Sequence, residues 1–222
     1  MLDYNSFEAV VFDMDGVIFD SERVILECWA EFADKNNIKD IQKNLIKCIG
    51  TTAGKTREIM LEAYGESFPY DEYAGKVSAD FHRKYDGGRL PMKDGIIPLL
   101  KFLKENNKRI ALASSTKRKN VIDQLTDAGI IKYFDEIITG DMVTRSKPEP
   151  DIFLKACEKI STLPKCAYAI EDSYNGIRAA SAGGLRPIMV PDIVPADDEM
   201  IRLSEVVLKN ADEVKEYLAA RV

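Results

Sequence analysis

"EAVVFDMDGVIFDSE", residues 8–22, decides how the rest of the chain is read. Residues 9–12 are apolar and partly β-branched, and the run closes on an acid, Asp13. A short continuous apolar run of this kind reads as a strand buried on both faces, the hallmark of a parallel sheet. The run then breaks at once into Asp13-Met14-Asp15-Gly16, two carboxylates followed by a turn residue.

Working outward, the same form recurs four times. "RIALASS" (Arg109 to Ser115), "EIITG" around Ile137 and Ile138, "CAYAIED" (Cys166 to Asp172) and "PIMVP" around Ile188 to Val190 all read as strands. Helical patterns lie between them. "DGIIPLLKFLKENN" places Asp94 as an N-cap and Ile96, Leu99, Leu100 and Leu103 on one face. "NVIDQLTDAG" carries Val121, Ile122 and Leu125 and stops at Gly129. "PEPDIFLKACEKI" opens with prolines expected in its first turn, and "NGIRAASAGG" ends at a glycine pair. Alternating strand and helix predicts an α/β protein with a doubly wound parallel sheet.

One interval breaks the alternation. The first strand ends near Asp13 and the second begins near Arg109, yet a crossover needs one helix, which Asp94 to Asn106 supplies. The surplus is helical: Val24, Ile25, Cys28, Trp29 and Phe32 recur at helical spacing, and "TREIMLEAYG" and "YDEYAGKVSADFHRKYDGG" continue the pattern. An α-helical module over residues 20–88 is therefore expected, inserted into a core of residues 1–19 and 89–222, with Gly87 and Gly88 at the return.

Bulk properties narrow the function. A chain of 222 residues buries roughly 70% of its unfolded surface. Its net charge of −6 disfavours a general nucleic-acid or anionic-membrane binder. Cys28, Cys48, Cys157 and Cys166 show no C-x-x-C spacing and read as reduced thiols. The acidic opening "MLDYNSFEAVVF" does not read as a signal peptide, and no apolar run approaches the ~18 residues of a membrane span. A cytoplasmic enzyme, monomeric by default, is the expectation.

In an open α/β sheet, ligands bind outside the carboxyl ends of the strands. There the chain places Asp13 and Asp15, then Ser114, Ser115 and Thr116, then Ser146-Lys147-Pro148, then Glu171 and Asp172. Carboxylates so gathered repel one another unless a cation sits among them, and an all-oxygen set selects a hard ion, Mg²⁺. Lys147 and Ser114 suit a phosphoryl oxygen. Asp13 is placed to attack phosphorus and Asp15 to act as general acid and base. Ser114 and Ser115 also suit a helix cap, a role compatible with anion binding.

"DMDGV" after an apolar strand, "LASST", "SKPEPDIF" and "AIEDSYNGIRAA" together resemble the four motifs of the haloacid dehalogenase-like superfamily. The similarity covers nearly the whole chain. It looks closest to the subgroup of β-phosphoglucomutase, phosphoglycolate phosphatase and related small-phosphate phosphatases, whose small cap domain the helical insertion matches. The resemblance implies Asp13 as nucleophile and Mg²⁺ ligand, forming an aspartyl-phosphate. It implies that Asp15 ligates Mg²⁺ through its backbone carbonyl while its side chain shuttles the proton. Ser114, with Ser115 beside it, would bind the phosphoryl group, Lys147 would neutralise charge, and Asp172, helped by Glu171 directly or from behind, would complete the metal site.

Within the family, Asp15 favours phosphoryl chemistry over halide release. Ile25 stands where mutase relatives carry a histidine, so hydrolysis of a small phosphate ester is expected over mutase action; inorganic pyrophosphatase activity is a further alternative. His82, the single histidine, reads as a structural or surface residue of the cap. For the leaving group, Glu22 suits a sugar hydroxyl or the orientation of Asp15, Arg57 suits a distal anion, and Thr116 and Lys117 suit a second anionic group. "IGTTAGKTREI" (Ile49 to Ile59) imitates a phosphate-cradling P-loop but is one residue short. Its nucleotide reading leaves Asp13, Asp15 and Lys147 without work. On the cap, Gly50 and Gly54 would permit a tight loop, Thr51 would select the leaving group, and Thr56 would cap a helix beginning near Arg57. A non-catalytic binding protein on the same fold would leave the acidic and basic motifs unexplained.

Overall fold

The structure, a computed structural model, describes residues 6–49 and 53–222. β1 (Ala9–Phe12) is followed by four helices, α1 (Ser21–Asn36), α2 (Ile41–Ile46), α3 (Ala53–Tyr64) and α4 (Tyr70–Tyr85). The alternating part then runs α5 (Ile96–Glu105), β2 (Arg109–Ser114), α6 (Arg118–Asp127), β3 (Glu136–Thr139), α7 (Asp151–Lys159), β4 (Ala167–Glu171), α8 (Tyr174–Ala182), β5 (Arg186–Met189), α9 (Asp198–Leu203), β6 (Val206–Val207) and α10 (Ala211–Ala219). The six strands pair in parallel in the order β3-β2-β1-β4-β5-β6. The order reverses between β1 and β4, and a doubly wound sheet opens its crevice at such a switch point. No described helix is long and apolar enough to cross a membrane.

The two faces of the sheet differ in kind. On one, Val10, Phe12, Ile110, Leu112, Tyr168 and Ile170 meet Leu99, Leu100 and Leu103 of α5 and Val214 and Leu218 of α10. On the other, Ala9, Ala111, Ala113, Ala167 and Ala169 leave room for α7 and α8 to pack closely through Phe153, Ala156, Ala179 and Ala180. Period-two alternation of large and small side chains thus sets the spacing of the helix layers. The inserted helices hold their own core of Cys28, Trp29, Ala33, Ile41, Leu45, Met60 and Val77, with the Trp29 and Tyr70 rings parallel at 6.0 Å.

The insert joins the sheet through two antiparallel backbone passes. Phe19 bridges Met92, the Asp20 N–H donates to the Pro91 carbonyl (2.9 Å), and the Lys93 N–H donates to the Ile18 carbonyl (2.9 Å). Lys93 Nζ ties the junction together by donating to Asp20 (2.9 Å) and to Asp192 (2.5 Å).

Several local expectations are corrected. Asp94 does not cap α5; Gly95 holds that position with φ 81°, and no side chain bonds the helix end. The prolines of "PEPDIF" precede α7, with Pro150 as its N-cap. Thr56 lies inside α3, which begins at Ala53. Lys117, rather than Ser114 or Ser115, precedes α6 as its N-cap, without a side-chain bond. All four cysteines are free thiols, and Cys166 alone is half-buried.

Candidate active site

The carboxyl ends of β1 and β4 lie side by side because Phe12 pairs with Ile170, and the Asp13 N–H continues the ladder to the Ile170 carbonyl (3.0 Å). That register brings the Asp13, Glu171 and Asp172 carboxylates together, with one oxygen of each within 4.8 Å of the others. All three are buried, Glu171 completely. Lys147, from the loop after β3, reaches in from the side. Its Nζ donates to Asp13 Oδ1 (2.5 Å), Glu171 Oε1 (2.6 Å) and the Ala113 carbonyl (3.0 Å), so all three ammonium protons are used.

Burial alone would lower the Lys147 pKa; the Asp13 and Glu171 carboxylates more than offset it and hold the group above the ordinary lysine value. Burial pushes Asp13 well above the carboxylate range, and Lys147 offsets this in part while Glu171 and Asp15 add to it. Asp172 is raised in the same way by burial, Glu171 and Asp13. The cluster holds more negative charge than one ammonium neutralises.

Two glycines make the crowding possible. Gly16 adopts φ +78°, and a Cβ there would sit 2.1 Å from Asp172 Oδ2. A Cβ on Gly176, in the first turn of α8, would lie 1.9 Å from the Glu171 carboxyl carbon. Glu171 Oε2 accepts from the Asp172 N–H (3.1 Å), the Ser173 N–H (3.2 Å) and Ser173 Oγ (3.0 Å). Glu171 is therefore fixed over the start of α8 and aims its other oxygen at Lys147.

Asp15 is held from two directions: Ser21 Oγ, in the first turn of α1, donates to Oδ1 (2.7 Å), and Thr116 Oγ1, after β2, donates to Oδ2 (2.8 Å). A cavity of about 430 Å³ opens between this floor and the inserted helices. Asp13, Asp15, Ser115, Lys147 and Asp172 line its lower half; Glu22 and Ile25 stand at the boundary; Leu26, Trp29, Leu45 and Tyr70 line the upper half. Burial, with Asp15 and Asp192 nearby, raises Glu22 from its ordinary value of 4.5 to about 7.

The expected residues fall into two groups. Asp13, Asp15, Glu171, Asp172, Lys147, Thr116, Ser115 and Glu22 are brought together. Ser114 lies fully buried beneath them, its Oγ accepting from the Thr116 N–H (3.1 Å). Arg57 is not at the cavity: its side chain is 51% exposed and paired with Asp71 at 3.0 Å. Lys117 is exposed and outside the lining as well. Thr51 and Gly50 lie outside the described residues. The apparent P-loop is no cradle, since Gly54, Lys55 and Thr56 are helical and Lys55 pairs with Glu58 at 2.9 Å. His82 pairs with Asp86 at 3.0 Å. Ser21 and Ser173 went unmarked in the sequence. For Ser173, a hydroxyl three residues before the helical Gly176, whose N–H it accepts, was a readable cap signal; for Ser21 no local signal exists.

The donor set fits a hard divalent cation. It is all carboxylate oxygen, buried, over-charged, and free of His or Cys. Asp13, Asp172 and Glu171 would hold such an ion.

The chain is similar to several known proteins. A phosphorylated carbohydrates phosphatase of Thermotoga maritima is 29% identical over 184 residues, covering 82% of this chain and 83% of that protein. The crystal structure of CbbY from Rhodobacter sphaeroides in complex with phosphate superposes with a TM-score of 0.76 at 27% identity, covering 94% of this chain and 96% of the other. That of β-phosphoglucomutase from Clostridium difficile gives 0.73 at 25% identity, covering 96% and 98%. The family model for haloacid dehalogenase-like hydrolases matches residues 10–190, through every strand end that builds the acidic floor. By that match, the chain belongs to the haloacid dehalogenase-like hydrolase family.

Proposed function

We propose that the protein is a Mg²⁺-dependent phosphatase that hydrolyses a small phosphate monoester, of the phosphorylated-carbohydrate kind, through an aspartyl-phosphate on Asp13. The observation that carries this reading is the Lys147 ammonium clamped between Asp13 and Glu171 at the base of a cavity that also contains Asp15. Asp13 Oδ2, the oxygen not bonded to Lys147, attacks phosphorus as the ester oxygen leaves. Asp15, oriented by Ser21 and Thr116, gives its proton to that oxygen and then takes one from the water that hydrolyses the acyl phosphate. Lys147 balances charge on Asp13 and on the transferred group, and Ser115 and the backbone after β2 face it. Bound Mg²⁺ would supply the remaining positive charge on the phosphoryl oxygens.

Residues 20–88 act as the cap that closes this site, hinged on the two passes at Phe19 and Met92, and closure excludes water during transfer. Ile25, at the boundary of the cavity, offers no proton-transfer group, which favours hydrolysis over mutase action. The test is turnover of p-nitrophenyl phosphate with and without Mg²⁺. Mg²⁺-dependent release, lost by a factor of 10³ or more in Asp13→Asn, is expected for removal of a nucleophile. Equal turnover in that variant, or none in the native protein with Mg²⁺, overturns the reading.

A further inference from the structure

Resting on that phosphatase reading, we infer that the preferred substrate has an uncharged leaving group that turns an apolar ring face to the cap. Above Glu22 and Ile25 the cavity wall is Leu26, Trp29, Leu45, Cys48, Ile49 and Tyr70, with one uncharged polar residue, Thr56, among them. Among the described residues, Lys147 is the one cation lining the cavity, and its three donors are already engaged on the floor. The cations nearest in sequence to the wall are turned to other work: Arg57 to Asp71, Lys55 to Glu58, Lys47 to the Asn44 side chain (3.0 Å). Glu22 stands at the mouth of this half, so a second anionic group on the substrate would meet a carboxylate instead of a counter-charge.

What the wall offers instead is uncharged and mostly apolar. The Trp29 indole, stacked on Tyr70 with 4° between the ring planes, forms a rigid platform whose position is fixed by the cap's own core. Its size matches the leaving group of a small-molecule ester, since ligand cavities run from about 300 Å³ upward. Glu22 is the group that a leaving-group hydroxyl would address, and a ring with one hydroxylated edge and one apolar face meets both. A sugar bisphosphate and pyrophosphate meet neither.

Three esters test this with Mg²⁺ present: benzyl phosphate, its 4-carboxy derivative and glycerol 3-phosphate. For the native protein, kcat/KM for benzyl phosphate should exceed each of the others by about tenfold or more, the scale on which an apolar pocket discriminates. Leu26→Lys, which puts an ammonium into the upper half, should raise the carboxylated-to-neutral ratio by about tenfold. Trp29 is the single tryptophan, so its fluorescence reports occupancy without turnover. Benzylphosphonate should perturb it at lower concentration than 4-carboxybenzylphosphonate. Native preference for the carboxylated ester or for glycerol 3-phosphate overturns the inference and leaves the phosphatase reading intact. Phosphonates that bind in the expected order while no ester turns over uphold the recognition and overturn the phosphatase reading. Phosphonates bound without discrimination overturn the inference.

Discussion

Gly16→Ala isolates the most crowded contact of the site. Two costs are separable. The backbone at Gly16 is left-handed, φ +78°, which costs an alanine about 1–2 kcal/mol. The new Cβ would stand 2.1 Å from Asp172 Oδ2, and ordinary contact begins at 3.4 Å, so the carboxylate must retreat by about 1.3 Å. Metal sites tolerate about 0.2 Å in a ligand distance. The first cost should lower the melting temperature of the metal-free protein by a few degrees, at about 2–4 °C per kcal/mol for a chain this size. The second should raise the Mg²⁺ concentration for half-maximal activity 10–100-fold, the range seen when a ligand's support is disturbed. Gly65→Ala supplies the control: φ is +92° there, and nothing lies within 4 Å of its added Cβ. It should reproduce the melting shift and leave the Mg²⁺ requirement alone. The assay is a Mg²⁺ titration of p-nitrophenyl phosphate turnover beside thermal melts of native and both variants. Equal Mg²⁺ requirements in all three would refute the reasoning that Gly16 exists to admit Asp172.

Lys147→Met should abolish turnover and, without Mg²⁺, destabilise the fold by about 3–5 kcal/mol, because it strands two buried carboxylates; chemical denaturation shows this, and near-neutral stability would count against the buried ion pair. Glu22 is raised from 4.5 to about 7, so its contribution is fully present below about pH 4.5 and lost as pH rises through 7. At about 1.4 kcal/mol per pH unit the upper limit is about 3 kcal/mol, and Glu22→Gln should flatten the fall in stability of the metal-free protein between about pH 4 and 8 by up to that amount; an unchanged pH profile by denaturant titration would discount Glu22. Ser21→Ala removes one of two hydrogen bonds orienting Asp15, and kcat should fall about 10–100-fold with KM little changed; an effect confined to KM would place Ser21 on the substrate instead.

The strands were legible because burial on both faces of a parallel sheet leaves a continuous apolar run that closes on a polar residue. β6 was not, since Val206 and Val207 sit at the sheet edge, where two paired residues suffice. The acidic floor was legible because each member ends a strand, and register alone assembles them. Spacing leaves the role of Glu171 open between ligand and support, because the three donors on its Oε2 come from the backbone turn into α8 and Ser173, a geometry with no counterpart in linear spacing. Charge points Arg57 to the substrate, and its place after the second motif points Lys117 there; neither lines the cavity. Whether an arginine faces a cavity depends on which acid is nearer in space, and Asp71, on the next helix, holds Arg57 at the surface. Ser21 was missed because its partner, Asp15, becomes its neighbour only when the chain turns back through Phe19.

The two antiparallel passes at Phe19 and Met92 have a consequence beyond this substrate. The insert leaves and re-enters the sheet domain at adjacent points, so to the sheet it is a loop whose ends are already closed. Lengthening such a loop adds little entropic cost, about 0.6 kcal/mol per doubling. The acidic floor can therefore keep its geometry while the part of the module beyond Ser21, which holds Asp15, is exchanged, so that the upper half of the cavity is open to change without rebuilding the floor.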